Sequence, residues 1–213
     1  MLLILAIIMI LYTLTIVLLF GWGFVTSFKD YQSDFIKNVF GFPKKWMFSN
    51  YAAVIKAFKY PTQGGKSVYI EGMLLNTVLY ALGCSFFSTL VTCITAYACG
   101  RFRYKFSNVL TSIVIVTMVL PVVGSLPSEI ALAKKLHFYD NIFGMWAMKC
   151  NFLSMYYLVF YKTFRGMPRD AEEAAKIDGA SNFTVMTRIM LPMVANAFAT
   201  IMLIKFIAFW NEY

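Results

Sequence analysis

Few side chains in this sequence are of a type that does chemistry, and fewer still are spaced to do it together. His137 is the single histidine, with no cysteine or carboxylate cluster beside it, so no metal site is expected. Cys84, Cys93 and Cys99 share one apolar run and Cys150 lies in another. None forms a C-x-x-C pair, and buried reduced thiols are expected. Gly64-Gly-Lys-Ser67 imitates the end of a phosphate-binding loop. The full pattern needs a glycine at position 60, where the chain has Tyr60, and a strand and helix around it, so a flexible loop is expected. The ordered polar stretch is Glu173-Ala-Ala-Lys-Ile-Asp-Gly-Ala180, running on to Ile189-Met-Leu-Pro192. Its chemistry is contact rather than catalysis: carboxylates, small residues and a turn.

The elements that must position this stretch are apolar. The 213 residues are 60% hydrophobic and 14% charged, against about a quarter charged in an ordinary soluble domain. The charges are clustered, which leaves long apolar runs and an all-α polytopic membrane protein as the fold class. Spans are expected at about 2–28, 72–99, 109–133, 142–161 and 191–213. The first has no basic leader and no small-x-small cleavage site, so it is a span and not a signal peptide. It starts at Met1, so a shortened N-terminus is expected. Leu120-Pro121 and Leu126-Pro127, with Gly124 between them, break the third run. Such a break is either a harmless kink or the wall of a pathway. Residues 29–70 form a loop holding an amphipathic helix entered at Ser49 or Asn50, with Trp46, Phe48 and Tyr51 at a headgroup surface.

The net charge of +9 is read as topology and headgroup contact, not as a nucleic-acid footprint. All five arginines (Arg101, Arg103, Arg165, Arg169 and Arg188) follow the second and fourth runs, which puts those loops in the cytoplasm. The first loop has seven lysines, but long loops carry less orienting weight. The cytoplasmic segment 162–190 then holds the polar stretch. Pro168 opens a helix, and Asp170, Glu172 and Glu173 fall in its first turn, where the dipole favours acids. Ala171, Ala174 and Ala175 share a face that permits close approach, and Glu172 and Lys176 pair on the other. Gly179 supplies a left-handed cap and Ser181 caps a second helix. On that helix Phe183, Met186 and Met190 form the apolar face. Near the C-terminal end, Asn211 and Glu212 are polar within an apolar run, and Trp210 and Tyr213 could stack on a sugar. Helix packing is the plainer alternative for these four. Lys205 either faces a pathway or snorkels.

Glu173-Ala174-Ala175, Asp178-Gly179-Ala180 and Ile189-x-Leu191-Pro192 resemble the EAA motif of the permease subunits of bacterial ABC importers. Other segments resemble the maltose-type second permease of carbohydrate importers: Pro43–Tyr51, Asn76-Thr77, Ala96-Tyr97 with Arg101-Phe102-Arg103, and Trp210-Asn-Glu-Tyr213. The resemblance covers nearly the whole chain and implies a type I ABC importer permease fold in the bacterial cell membrane. It implies five of six spans within one transmembrane domain over 1–213, the remainder lying beyond Tyr213. It implies an ATPase-docking coupling helix carried by Glu172, Glu173, Ala174, Ala175, Asp178, Gly179, Ala180, Ile189, Leu191 and Pro192. The substrate pathway would include Trp210, Asn211, Glu212, Tyr213, Pro121 and Gly124. No cofactor is expected, because ATP would be bound by partner subunits. The implied partners are a second permease, two ATPase subunits, an external solute-binding protein and membrane lipid, with no nucleic acid. The family often has a proline where this chain has Asn196, so a straighter start to the fifth span is expected. Rival readings are an importer for a polyol, glycerol phosphate or peptide, a secondary transporter, and a membrane enzyme. The last two would need inverted repeats or a catalytic cluster.

Overall fold

The computed structural model of the protein describes residues 2–61, 67–102, 104–120, 124 and 126–212. Pro121, Tyr213, Arg103 and the 64–66 part of the phosphate-loop imitation lie outside these residues. The chain divides into two compact units, 1–73 and 74–213.

The first unit begins with α1, Leu2–Ser27, an unbroken apolar helix. Its few hydroxyls bond back onto their own helix: Thr13 to the Met9 carbonyl (2.8 Å), Thr15 to Leu11 (2.9 Å) and Thr26 to Trp22 (2.9 Å). Ser27, at the end of the helix, bonds both the Phe24 carbonyl (2.7 Å) and the Tyr51 hydroxyl (2.6 Å). Beyond α1 the chain folds around Phe28. The rings of Phe24, Trp46, Phe48 and Tyr51 have centroids 5.1–5.3 Å from it. The aromatics expected along a headgroup surface therefore also form a cluster of their own. Lys44 N–H donates to the buried Asp34 carboxylate at 2.7 Å. Ser33 donates its N–H and hydroxyl to Asp30, which holds that carboxyl below its usual pKa. Helix α2 runs Ser49–Ala57. A hairpin of β1, Lys59–Pro61, and β2, Ser67–Tyr69, follows, with Tyr60 opposite Val68.

Helix α3, Ile70–Arg101, has 32 residues, and its part from Leu74 on is the long helix of the second unit. The run 109–133 is two helices: α4, Lys105–Val119, and α5, Leu126–Lys135. α4 stops because Leu120 precedes a proline and is extended (ψ 116°). The run 142–161 is likewise α6, Ile142–Lys149, and α7, Met155–Gly166, with 150–154 unwound between them. The chain then forms α8, Asp170–Ile177; α9, Asn182–Val185; a π-turn, Met186–Met190; α10, Leu191–Met193; and α11, Ala195–Trp210. Among the described residues, Leu3–Ser27 and Ile70–Arg101 are long and apolar enough to cross a membrane. The pair 182–193 and 195–210, bent by 74°, makes a third if taken as one span.

That bend corrects the expectation of a straighter start drawn from Asn196. It falls at Val194 (φ −102°, ψ 9°), where the backbone leaves helical geometry. Val194 is buried in the core, so packing and not a second proline sets the angle. The core gathers Tyr97 of α3, Val114 of α4, Tyr157, Phe160 and Phe164 of α7, Val185 and Met190 around the π-turn, and Ile201 of α11. Cys84, Cys93 and Cys99 are buried and form no disulfide, and Cys150 is half-buried.

α3 meets α6 through a glycine. A Cβ on Gly83 would overlap the indole of Trp146, whose Nε1 donates to the Leu79 carbonyl at 3.2 Å. Gly83→Val should therefore destabilise the second unit by about 1–3 kcal/mol through overpacking. The loss should show as a lower melting temperature of the purified protein in detergent, while Leu82→Val, one position away on the exposed side, leaves it unchanged.

Candidate functional site

The polar helix–turn–helix closes as the residue types dictate. Gly179 has φ +81°, a conformation that glycine adopts without Cβ strain. Ala180 N–H donates to the Ala175 carbonyl (2.9 Å) and Gly179 N–H to that of Lys176 (3.1 Å), the paired bonds of a Schellman cap. Ser181 accepts from Thr184 N–H at 3.2 Å and caps α9.

The two faces of α8 divide differently from the helical wheel. Ala171, Glu173, Ala174, Asp178 and Gly179 are exposed. Ala175, Ala180, Ile189 and Leu191 pack inward against the chain's own core, while Pro192 is exposed. The three alanines therefore do not form one outward face. Glu172 is buried: its Oε2 lies 3.1 Å from Arg101 Nε and its Oε1 3.1 Å from Lys176 Nζ. Side-chain exposure of Arg101 and Glu172 is 3% and 9%. Arg101 also donates from Nη1 to the Met167 carbonyl (3.0 Å) and from Nη2 to that of Pro168 (2.9 Å). From sequence Arg101 reads as a topology signal and a part of the family resemblance; the partners that define its role here lie more than 60 positions away.

Phe183, expected on the apolar face of α9, is 71% exposed. Met190 is buried as expected, and Val185, expected at the flank of that face, is buried with it. The π-turn explains the change: its wider winding brings residues five apart onto one side, where a 3.6-residue period does not.

A second constellation lies among the apolar helices. Lys149 Nζ, at the end of α6, stands 2.5 Å from Glu129 Oε1 of α5 and 2.5 Å from Glu212 Oε1, beyond α11. Tyr80 of α3 donates to Glu212 Oε2 at 2.8 Å. One ammonium thus sits between two carboxylates, a pairing that offsets the cost of holding charge among apolar segments. Nearby, Lys205 of α11 is buried and donates to Ser88 Oγ (2.7 Å) and Thr92 Oγ1 (3.2 Å) of α3, with the Tyr156 ring centroid 5.6 Å away. Among the described residues no carboxylate is within ion-pair distance of Lys205. Ser88, Glu129, Lys149, Asn151, Ser154 and Lys205 share the wall of a cavity of about 620 Å³.

Of the residues expected along a pathway, Glu212 joins this cluster. Asn211 turns back to the Ile207 carbonyl at 2.7 Å, Trp210 packs on Phe206 with centroids 5.7 Å apart, and Gly124 is exposed at φ +74°. Tyr80, Glu129 and Lys149 escaped the sequence reading. Charges inside apolar runs were the available signal for the last two, and Lys149 was read only as an interruption.

This arrangement is similar to a solved structure of a bacterial ABC transporter involved in the import of the acidic polysaccharide alginate. The TM-score is 0.79 at 23% identity, over 99% of this chain and 71% of that one. The fold is that of an ABC importer permease. The family profile for the binding-protein-dependent transport system inner membrane component matches residues 89–213, and the chain belongs to that family. It is a multi-pass membrane protein. A relative named as the diacetylchitobiose uptake system permease protein NgcG of Streptomyces coelicolor is 23% identical over 96% of this chain and 65% of its own length. Another, named as the sn-glycerol-3-phosphate transport system permease protein UgpE of Pectobacterium atrosepticum, is 29% identical over 66% of this chain and 50% of its own length. The chain thus spans less than two thirds of these curated relatives.

Lys149→Met would leave Glu129 and Glu212 facing one another uncompensated. The expected loss is about 3 kcal/mol, the low end for breaking a buried pair because both carboxylates are about a third exposed. Adding Glu129→Gln and Glu212→Gln should recover most of it. Thermal unfolding of the purified single and triple variants checks both outcomes.

Proposed function

We propose that the chain is one permease subunit of a binding-protein-dependent ABC importer for sugars or oligosaccharides. The observation that carries the reading is the two-sided character of α8. Its inner face is bonded to the chain's own core through Glu172 and Ala175. Its outer face offers a carboxylate, a small residue and a tight turn at Glu173, Ala174 and Gly179. An anionic lipid surface would favour lysine and arginine on that face, whereas a groove on another protein suits it. In this reading the loop 162–190 is cytoplasmic, the domain covers 1–213, and α8 is the coupling helix that docks in an ATPase subunit. Of the docking residues, Glu173, Ala174, Asp178, Gly179 and Pro192 meet the partner. Glu172, Ala175, Ala180, Ile189 and Leu191 hold the helix in position.

The chain itself is not an enzyme and binds no ATP. Two ATPase subunits supply the energy, a second permease completes a heterodimer, and an external solute-binding protein delivers the solute. Closure of the ATPases on ATP carries α8 with it and turns the pathway from inward to outward facing. The wall of that pathway includes Glu212 with its partners Lys149, Glu129 and Tyr80, together with Trp210, Asn211 and Gly124. The sugar assignment is supported by the relative named for diacetylchitobiose uptake. A second reading, an anionic solute, is favoured by Lys205, a cavity-lining ammonium that among the described residues has no carboxylate within ion-pair distance and donates to the hydroxyls of Ser88 and Thr92.

Glu173→Lys reverses the charge on the outer face, and Gly179→Val strains the turn by about 1–3 kcal/mol. Each variant should reach the membrane in normal amount and lose solute uptake at least ten-fold, with ATP hydrolysis no longer tied to transport. Uptake and ATPase assays on the assembled transporter check this. Normal uptake with normal ATPase association in either variant would sink the docking assignment.

A further inference from the structure

The segment joining α7 to α8 is Gly166-Met167-Pro168-Arg169, and by composition it should hinge. Gly166 ends α7. Met167 is extended (φ −73°, ψ 142°), and Pro168 has no N–H with which to join a helical ladder. A helix of eight residues hung on such a linker could swing when pulled, and the pull would stop there. The structure instead uses the linker's carbonyls as ligands. Arg101, the last residue of α3, bonds those of Met167 and Pro168 with its two terminal nitrogens and sets its third against Glu172, in the first turn of α8. Nη1 and Nη2 hold the linker by hydrogen bonds and Nε faces Glu172 Oε2 at 3.1 Å as an ion pair without a hydrogen bond, one side chain spanning the linker and the helix beyond it. Both charged groups are nearly buried, and Lys176 occupies the second oxygen of Glu172.

We propose that Arg101 is a positioning residue that locks α8 to the end of α3, so that force applied to α8 moves the two helices as one body. The planar fork matters. A lysine in the same place keeps the charge opposite Glu172 but cannot hold two carbonyls and a carboxylate at once. α3 extends the effect inward. Tyr80, which bonds Glu212, lies 21 residues before Arg101 on the same helix, about 30 Å away at 1.5 Å per residue. One rigid helix thus joins the outward-facing carboxylates of α8 to the polar cluster among the spans. The proposal rests on the reading of α8 as the element an ATPase grips.

The test places nitroxide labels at Asp170→Cys on α8 and Leu82→Cys on the exposed side of α3, in a chain whose four native cysteines are replaced. Their separation is measured by pulsed electron–electron resonance in the assembled transporter, nucleotide-free and trapped with ADP–vanadate. With Arg101 present the distance should agree between the two states within about 2 Å, the scale of small helix shifts. In Arg101→Met it should change beyond that on trapping or broaden, and Arg101→Lys should fall between. A distance in Arg101→Met as narrow and as constant as with Arg101 overturns the proposal. So does a distance that shifts on trapping with Arg101 in place. If Arg101→Met does not accumulate in the membrane, Glu172→Gln is read by the same criteria, since it removes the ion pair and leaves both carbonyl bonds. If no ATPase co-purifies with the unsubstituted chain, the docking reading of α8 falls first and this proposal falls with it.

Discussion

Hydrocarbon offers no hydrogen bonds, and most of this chain is arranged around that lack. The long helices α1 and α3 satisfy their own backbones. Hydroxyls along them fold back onto carbonyls one turn earlier, as Thr13 and Thr92 do. Charges cannot be absorbed in that way, so they are grouped. Lys149 stands between Glu129 and Glu212, and Lys205 takes two hydroxyls of α3 for its solvent. Because these contacts run between helices far apart in sequence, the same constraint that forbids a bare charge also decides which helices lie together.

Force and solute would act at different places on this framework. Glu173, Ala174 and Gly179 are exposed on α8, while Lys205 lines a cavity among the apolar helices. A permease needs both kinds of surface and a stiff connection between them. α3 has the length for it, and it is tied by different chemistry at its C-terminal end and part-way along: a guanidinium fork at Arg101 and a phenol–carboxylate bond at Tyr80.

Local chemistry was legible in the sequence wherever it is decided within a few residues. Gly179 is left-handed because the turn after α8 demands it, and Ser181 caps α9 because its hydroxyl reaches Thr184. The apolar runs gave α1 and α3 nearly to the residue. What failed was settled by packing at long range. A wheel with 3.6 residues per turn put Phe183 inward with Met190, while the π-turn at Met186–Met190 brings Val185 there beside Met190 and leaves Phe183 exposed. The 74° bend at Val194 follows from burial, which Asn196 does not report. Glu172 reads as the polar side of a short helix until Arg101 arrives from α3 to bury it.

The contact between Gly83 and Trp146 has a bearing on how such a chain can change over generations. An absent side chain on α3 is the socket for a bicyclic ring on α6. The two positions therefore behave as a single inherited character. A methyl group gained at the first must be matched by a smaller ring at the second, and the order matters: a chain that shrinks the ring first passes through a tolerable void, while one that fills the socket first passes through a clash.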